Sequence, residues 1–471
     1  MTQAAFYGRT SELALLERAH ATERSELWVV YGRRRVGKTA LLEKFAGGKR
    51  AFFFTAGRES SRSNLRRFFE GLADFAGQPL LRKVRSPTWS EALSALDQVV
   101  GTAPGKTLLV FDEFQWMCRG QSSVLSDLQR LWDTRWKNRG NVHLILCGSA
   151  VSFMVGEVLA QKSPLFGRRS GSLALLPLSA AEAKSFFRKR GDFECGEALI
   201  CLGGVPAYLE LFARHGSVRK ILDELAFRPH GYLVEEVRFT FGEQLKEKER
   251  YLQIASLLAG APASMAQLSR STGLNKGQLA FYLERLIELG FVEKHRPITL
   301  PDTSKTVRYR LQDEYLRFYF SLIEPNLTRI RTSRTGYGLD RIARDRFDTF
   351  LGHGFELMVA RNVAVLLEVT DAADVVSRIG SYWHHQTARR EGVQIDLVVE
   401  RDDGITHLVE CKWSRKPVGK GVWTELQRKC SLYPNPKQHT LEPVLVAAAG
   451  ATPSVRDADV PVVTLADLLR S

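Results

Sequence analysis

Leu27-Trp28-Val29-Val30-Tyr31-Gly32-Arg33-Arg34-Arg35-Val36-Gly37-Lys38-Thr39 is the stretch that decides the fold. Its apolar opening reads as a strand of a parallel sheet, buried on both faces. The run passes straight into G-x-x-x-x-G-K-T, and Thr39 to Phe45 continues as a helix. Strand, glycine loop and helix in that order make a phosphate cradle. Gly32 and Gly37 let the main chain bend, so that the N–H groups of the loop through Arg35 and Val36 point inward. The helix N-terminus adds its positive end. Lys38 is placed to neutralise β- and γ-phosphate oxygens, and the Thr39 hydroxyl to bind Mg²⁺. ATP and Mg²⁺ are the expected ligands. A main-chain cradle does not need the side chains of Arg33, Arg34 and Arg35.

Further strands follow at Ala51–Phe54, Leu108–Phe111, His143–Cys147 and Leu173–Leu176, the last ended by Pro177. Helical patterns at Leu65–Leu72, Trp89–Val100 and Leu125–Trp136 lie between the earlier ones. Alternation of this kind predicts an α/β sheet. Asp112-Glu113 closes the third run, a Walker B arrangement in which Asp112 holds Mg²⁺ and Glu113 orients or activates the attacking water. Ser149 follows the next strand and reads either as a polar sensor of the γ-phosphate or as a plain strand-end serine. Arg168 and Arg169 read either as a surface pair or as an arginine finger, acting in cis or from a neighbouring copy.

Before the first strand, Leu13 and Leu16 have helical spacing, with Thr10 or Ser11 as the expected cap. After Ser179 the pattern turns helical, broken at Gly203-Gly204-Val205-Pro206. Residues 250–312 carry the signals of a winged helix. Tyr251–Leu258 is the first helix, Ser264-Met265-Ala266-Gln267 is a capping box opening the second, and Asn275 opens the third. Phe291–Lys294 and Val307–Leu311 are the expected wing strands. The third helix offers Lys276, Gln278 and Arg285 to DNA, but also Glu284 and Glu288, which phosphates repel. Packing as an extension of the ATPase is the competing reading. Residues 326–346 hold Arg329, Arg331, Arg334, Arg341, Arg344 and Arg346 with little apolar pattern, and read as a basic linker.

The chain is long enough, at 471 residues, for two to four domains. Its net charge of +15 fits a polyanionic partner such as DNA or RNA. Cys118, Cys147, Cys195, Cys201, Cys411 and Cys430 form no zinc-type spacing, which suits a reducing compartment. The sequence shows no leader pattern and no run of about 18 apolar residues, so the expectation is a cytoplasmic protein without membrane contact.

In the last third, Gln394–Val399 and Leu408–Trp413 read as two strands joined through Asp402-Asp403-Gly404, a hairpin signal. Period-2 alternation puts Glu410 and Lys412 on one face, with Asp396 in reach on the neighbouring strand. Two carboxylates there hold Mg²⁺, and Lys412 places or deprotonates a water that attacks a phosphodiester. Glu356, on a preceding helix, is a further candidate metal ligand. A binding domain without cleavage, or a surface hairpin, is the alternative.

Gly8-Arg9-x-x-Glu12-Leu13, the phosphate loop, Asp112-Glu113-Phe114-Gln115-Trp116, Gly148-Ser149-Ala150, Pro164–Arg169 and Gly203–Leu209 together resemble the archaeal-type ATPase family. That family belongs to the AAA+/STAND branch of P-loop NTPases. The resemblance spans residues 6 to about 215. It implies that Gly8 and Arg9 lie near the adenine and that the segment ending in Pro206 packs a helical lid over the base. The Asp396…Glu410-x-Lys412 region resembles a PD-(D/E)xK nuclease core, with Ile395 where proline usually precedes the aspartate. It also resembles the domain of unknown function often fused to such ATPases.

The expected architecture is therefore α/β: a P-loop core over 1–178, a helical lid over 179–245 and a winged helix over 246–325. A linker over 326–346 and a restriction-endonuclease-like α/β domain over 347–471 complete it. The expected function is ATP binding and hydrolysis coupled to a nucleic-acid-interacting or metal-dependent nuclease-like domain. The alternative is an ATP-switched signalling or scaffold protein with a catalytically silent domain. A second copy of the chain is an expected partner if Arg168 acts in trans.

Overall fold

The computed structural model describes residues 6–470, apart from Ser86, Ser122, 242–246, Asp302, 334–337, Ala343, 389–390 and the side chains of 342–345. It divides into two compact units, Met1–Pro177 and Leu178–Ser471.

In the first unit, β1 (Glu26–Tyr31), β2 (Ala51–Thr55), β3 (Thr107–Asp112), β4 (Val142–Gly148) and β5 (Gly171–Ala174) form one sheet. Their order is β2-β3-β4-β1-β5, and every pairing is parallel. Alternate residues serve opposite faces. Leu27, Val29, Leu109, Phe111, Leu144 and Leu146 enter one buried cluster. Trp28, Val30, Leu108, Val110, Ile145 and Cys147 enter another on the opposite face. Helices Thr10–His20, Lys38–Ala46, Ser61–Ala76, Trp89–Gly101 and Ser123–Leu131 surround the sheet elements in sequence.

Three local expectations are corrected. The fifth strand begins at Gly171 rather than Leu173, because Gly171 lies flat against Trp28: a Cβ there would be 2.5 Å from the indole. The first helix has no side-chain cap; Arg9 precedes it in the left-handed region, φ 63°. The helix expected to run through Trp136 widens after Leu131 into a π-turn, Trp132–Trp136. Buried Asp97 there accepts from Trp136 Nε1 at 2.8 Å and Arg139 Nη1 at 2.7 Å.

The second unit opens with helices including Asp192–Leu202 and Pro206–Leu209. Three helices follow, Lys248–Gly260, Met265–Thr272 and Lys276–Glu288, with β6 (Ala263–Ser264), β7 (Val292–His295) and β8 (Arg308–Leu311) in an antiparallel sheet ordered β6-β8-β7. The expected capping box of Ser264 with Gln267 forms, and Asn275 makes a further one with Gln278.

Residues 326–346 are not a bare linker. Helices Leu327–Thr332 and Leu339–Ile342 form there, and Arg344–Arg361 begins within it. Sparse apolar residues suffice to anchor them, since Ile330 and Leu339 are buried. Arg334 lies outside the described residues.

The C-terminal sheet contains β9 (Val376–His384), β10 (Val393–Arg401), β11 (Ile405–Lys412), β12 (Thr440–Ala447) and β13 (Val462–Val463). Its order is β13-β12-β11-β10-β9. β9, β10 and β11 pair antiparallel, and β11, β12 and β13 pair parallel. Gly404, φ 84°, supplies the left-handed corner of the β10–β11 hairpin. Among the described residues no single helix is long and apolar enough to cross a membrane.

Candidate functional site

The loop after β1 closes on itself through Lys38. Its Nζ donates to the carbonyls of Gly32 at 2.9 Å and Arg33 at 3.0 Å. Burial pulls the Lys38 ammonium below its ordinary range, and Glu113 and Asp112 oppose that pull. Gly37 starts the following helix at φ 90°, which a side chain would strain. Gly32 cannot be replaced for a different reason: a Cβ there would sit 2.4 Å from the Leu175 carbonyl oxygen. Arg35 holds φ 70° without being glycine. A loop of this shape, held by a buried cation, can accept phosphate oxygens in place of its own carbonyls.

The strand order sets β4 between β1 and β3. Gly148-Ser149 therefore falls between the phosphate loop and Asp112-Glu113 at one end of the sheet, where ligands of open α/β folds bind. Thr39 Oγ1 donates to Asp112 Oδ2 at 2.7 Å. Glu113 has φ 52°, an uncommon conformation for a glutamate. Its Oε2 accepts from Ser149 Oγ at 2.8 Å and from Gln115 Nε2, and Gln115 also donates to Ser149 at 3.3 Å. The hydroxyl and carboxylate pair of Thr39 and Asp112 suits Mg²⁺, which takes hard oxygen donors and keeps several waters.

Other residues expected at this site have local partners. Arg9 is buried, donating to Val36 O at 3.0 Å and Leu176 O at 2.5 Å and pairing with Glu12 at 2.8 Å. It ties the N-terminal segment to the phosphate loop. Arg168 Nε donates to both carboxylate oxygens of Asp133, at 2.8 and 2.9 Å. Any approach of Arg168 to a nucleotide breaks that pair. Pro206 opens a short helix in the second unit, and Gly204 faces the Leu178 carbonyl so closely that a Cβ would clash at 1.9 Å.

The C-terminal constellation assembles on β10 and β11. Register pairs Leu397 with Val409, which sets Asp396 beside Glu410. Asp396 Oδ2 accepts the Cys411 N–H at 2.9 Å. Glu410 is 1% exposed and lies between two ammonium groups, Lys412 and Lys429, each at 2.7 Å. Burial, then the Glu410 charge, lifts Asp396 to about 6. Burial, then Asp396 and Glu410, lifts Glu356 to about 8. Lys412 is pushed down by burial, but Glu410 outweighs this and holds it above its ordinary range.

Among the described residues no group of three or more His, Cys, Asp or Glu is spaced to hold a metal ion. Glu410, expected as a ligand, is already neutralised by two lysines. Glu356 and Asp396 are the carboxylates left short of positive charge, and a pair of carboxylates with waters is a donor set that Mg²⁺ accepts. Two residues escaped the sequence reading. Gln115 lies inside the Asp112–Trp116 motif, two residues from Glu113, and that proximity was its only signal. Lys429 comes from the helix Lys420–Leu432, which carries no motif, and only the tertiary packing brings it to Glu410.

Residues 6–212 match a family model described as an ATPase domain predominantly from Archaea. Residues 319–422 match one described as archaeal and bacterial proteins of unknown function. An uncharacterised protein of Methanocaldococcus jannaschii is 29% identical over 430 residues, covering 91% of this chain and 92% of the relative. An uncharacterised ATP-binding protein of the same organism is 47% identical over 45 residues, 10% of this chain and 76% of that protein. Among solved structures, a Walker-type ATPase of Pyrococcus abyssi superposes with a TM-score of 0.52 at 20% identity, covering 67% of this chain and 96% of that one. The fold is thus shared with a P-loop ATPase. Residues 6–212 are similar to an ATPase domain found predominantly in Archaea, and residues 319–422 to a region of archaeal and bacterial proteins of unknown function.

Proposed function

We propose that this chain hydrolyses ATP with Mg²⁺ at the loop 32–39 and uses nucleotide state to control a nuclease-like C-terminal domain acting on nucleic acid. The observation that carries the first half is the convergence of Lys38, Thr39, Asp112 and Glu113 at one end of the β1–β4–β3 sheet. On ATP binding, phosphate oxygens replace the Gly32 and Arg33 carbonyls as acceptors for Lys38. Mg²⁺, when bound, screens the phosphate charge. Glu113 orients a water against the γ-phosphorus and takes up its proton as the P–O bond to ADP breaks. Ser149 and Gln115 are positioning residues: their hydrogen bonds hold the Glu113 carboxylate.

For the second half, the helix triad over 248–288 with its three-stranded sheet supports a winged-helix reading. Asp396, Glu410 and Lys412 on adjacent strands, with Glu356 nearby, support a PD-(D/E)xK-like reading. A divalent cation there supplies charge neutralisation at a scissile phosphate. Asp396 and Glu356 are the groups to hold it, and Lys412 stands beside them to place the attacking water. The lysine pair on Glu410 favours a second reading, in which the domain binds nucleic acid without cutting it.

Incubation with Mg²⁺ or Mn²⁺, ATP and assorted DNA and RNA separates the two. Cleavage lost in Asp396→Ala supports the nuclease. Binding with no cleavage under any metal supports the silent domain, and neither binding nor cleavage removes both.

A further inference from the structure

A cavity of about 1190 Å³ opens within the second unit, between the β7–β8 sheet and β9–β10. Glu356 and Asp396 line it, so it leads to the carboxylate site. Most of the charged groups on its walls are cationic, among them Lys294, Arg296, Arg308, Arg317, Arg378 and Lys429. Some of these are neutralised locally; Lys429, for instance, is bound to Glu410.

Arg317 feels the Glu314 and Glu356 carboxylates, yet one of its nitrogens is unpartnered: its Nη1 has no hydrogen-bond partner among the described residues. The residue is 9% exposed. Burial lowers it to about 10, which leaves the guanidinium charged at neutral pH. A buried guanidinium N–H without an acceptor is costly unless an anion completes it. Two more buried donor or acceptor atoms on the same walls, His295 Nδ1 and His384 Nε2, lack hydrogen-bond partners among the described residues. Burial pulls His295 down to about 3, so its imidazole is neutral and fit to hydrogen-bond a base edge.

Flat groups complete the wall. His295 stacks on Trp383 with centroids 4.2 Å apart and planes 29° apart, and the Arg308 guanidinium carbon lies 5.7 Å from the Trp383 ring centroid. Cationic groups interleaved with stacking surfaces suit a strand whose bases are unpaired, since a base offers its face only when it leaves the duplex stack.

We infer that this cavity binds single-stranded nucleic acid, with Arg317 gripping a phosphate beside Asp396 and Glu356 and the His295–Trp383–Arg308 wall receiving bases. This deepens the nuclease-like reading by naming its substrate class, and rests on that reading for the site the strand enters. The bound oxyanion completes Arg317, and a base displaces the Arg308 guanidinium from Trp383.

The test is fluorescence anisotropy of the full-length protein with a labelled 20-nucleotide oligo(dT), without divalent metal, across a salt series. A 20-base-pair duplex is the comparison. The single strand is expected to bind at least 10-fold tighter than the duplex. Arg317→Gln is expected to weaken binding about 10-fold and to reduce the salt slope by about 1. Trp383→Ala is expected to weaken it about 10-fold with the slope unchanged. Should Arg317→Gln fail to fold, Arg308→Ala at the half-buried wall replaces it, with a smaller loss in the same direction. Equal affinity for duplex and single strand overturns the inference, as does native binding in both Trp383→Ala and the arginine variant. If native protein binds as described but never cuts, the catalytic half of the nuclease reading falls and this site stands.

Discussion

The two candidate sites of this chain are built in opposite ways. At the phosphate loop, eight consecutive residues carry most of the geometry, and the rest comes from the ends of two neighbouring strands. At the C-terminal site the groups come from a helix, two strands and a second helix, spread from Glu356 to Lys429. Charge balance differs too. Lys38 is buried with carboxylates facing it, so cation and anions offset one another before any nucleotide arrives. In the C-terminal site two lysines converge on Glu410, while burial and neighbouring carboxylates raise Glu356 and Asp396 above the usual carboxylate range. A contiguous loop keeps its function wherever the strand–loop–helix unit folds. A dispersed site depends on every element that carries a member.

Substitution within the contiguous site should produce the largest effect. Lys38→Ala is expected to abolish ATP binding in a fluorescent-nucleotide titration, since no other group replaces the buried ammonium. Retained micromolar binding would mean that the main-chain cradle alone suffices. Glu113→Gln is expected to bind ATP as the native protein does and to lose turnover by about 100-fold or more; full turnover in a phosphate-release assay would remove Glu113 from its role.

The next test sharpens the contrast in charge. With Asp396 near 6 and Glu356 near 8, a divalent cation competes with protons over that window. Mn²⁺ affinity at the C-terminal site is therefore expected to rise as pH increases from about 5.5 to 8.5. Glu356→Gln should flatten the upper part of the rise, which calorimetry at several pH values reads directly. The same shifts act on stability. A carboxyl raised on folding stabilises the native state at low pH, and that contribution is lost as pH rises through its folded value. Metal-free protein should thus lose stability towards pH 8, less so in Glu356→Gln.

Ser149→Ala should cost less: loosening the Glu113 carboxylate is expected to lower kcat about 10-fold with KM nearly unchanged. An equal fall in kcat for Ser149→Ala and Glu113→Gln would make the serine more than a positioning residue. The smallest effect is expected at a helix cap that takes no part in either site's chemistry. Ser264→Ala removes one capping box and should lower stability by about 1 kcal/mol in denaturant unfolding, leaving ATPase turnover intact.

The sequence was legible wherever function or structure is local. The apolar runs 27–31 and 108–111 are strands because a parallel strand buried on both faces tolerates no polar interruption. The Ser264 and Asn275 caps could be read because a capping box closes within four residues. The helices within 326–346 were not legible because they rest on isolated anchors such as Ile330 rather than on a periodic face. Asp396, Glu410 and Lys412 were visible through strand period and hairpin register, and Glu356 as a nearby helix carboxylate. Lys429 was not visible, because nothing within its own helix distinguishes it.

By itself the sequence determined the strand, glycine loop and helix of residues 27–46 and the alternation of strands and helices, because these follow from main-chain geometry and neighbouring residues. Only the tertiary structure decided that Ser149 and Gln115 hold Glu113, that Asp133 occupies Arg168, and that two lysines neutralise Glu410. Such contacts join residues far apart in the chain, and their strength depends on burial, which exists only once the core has closed.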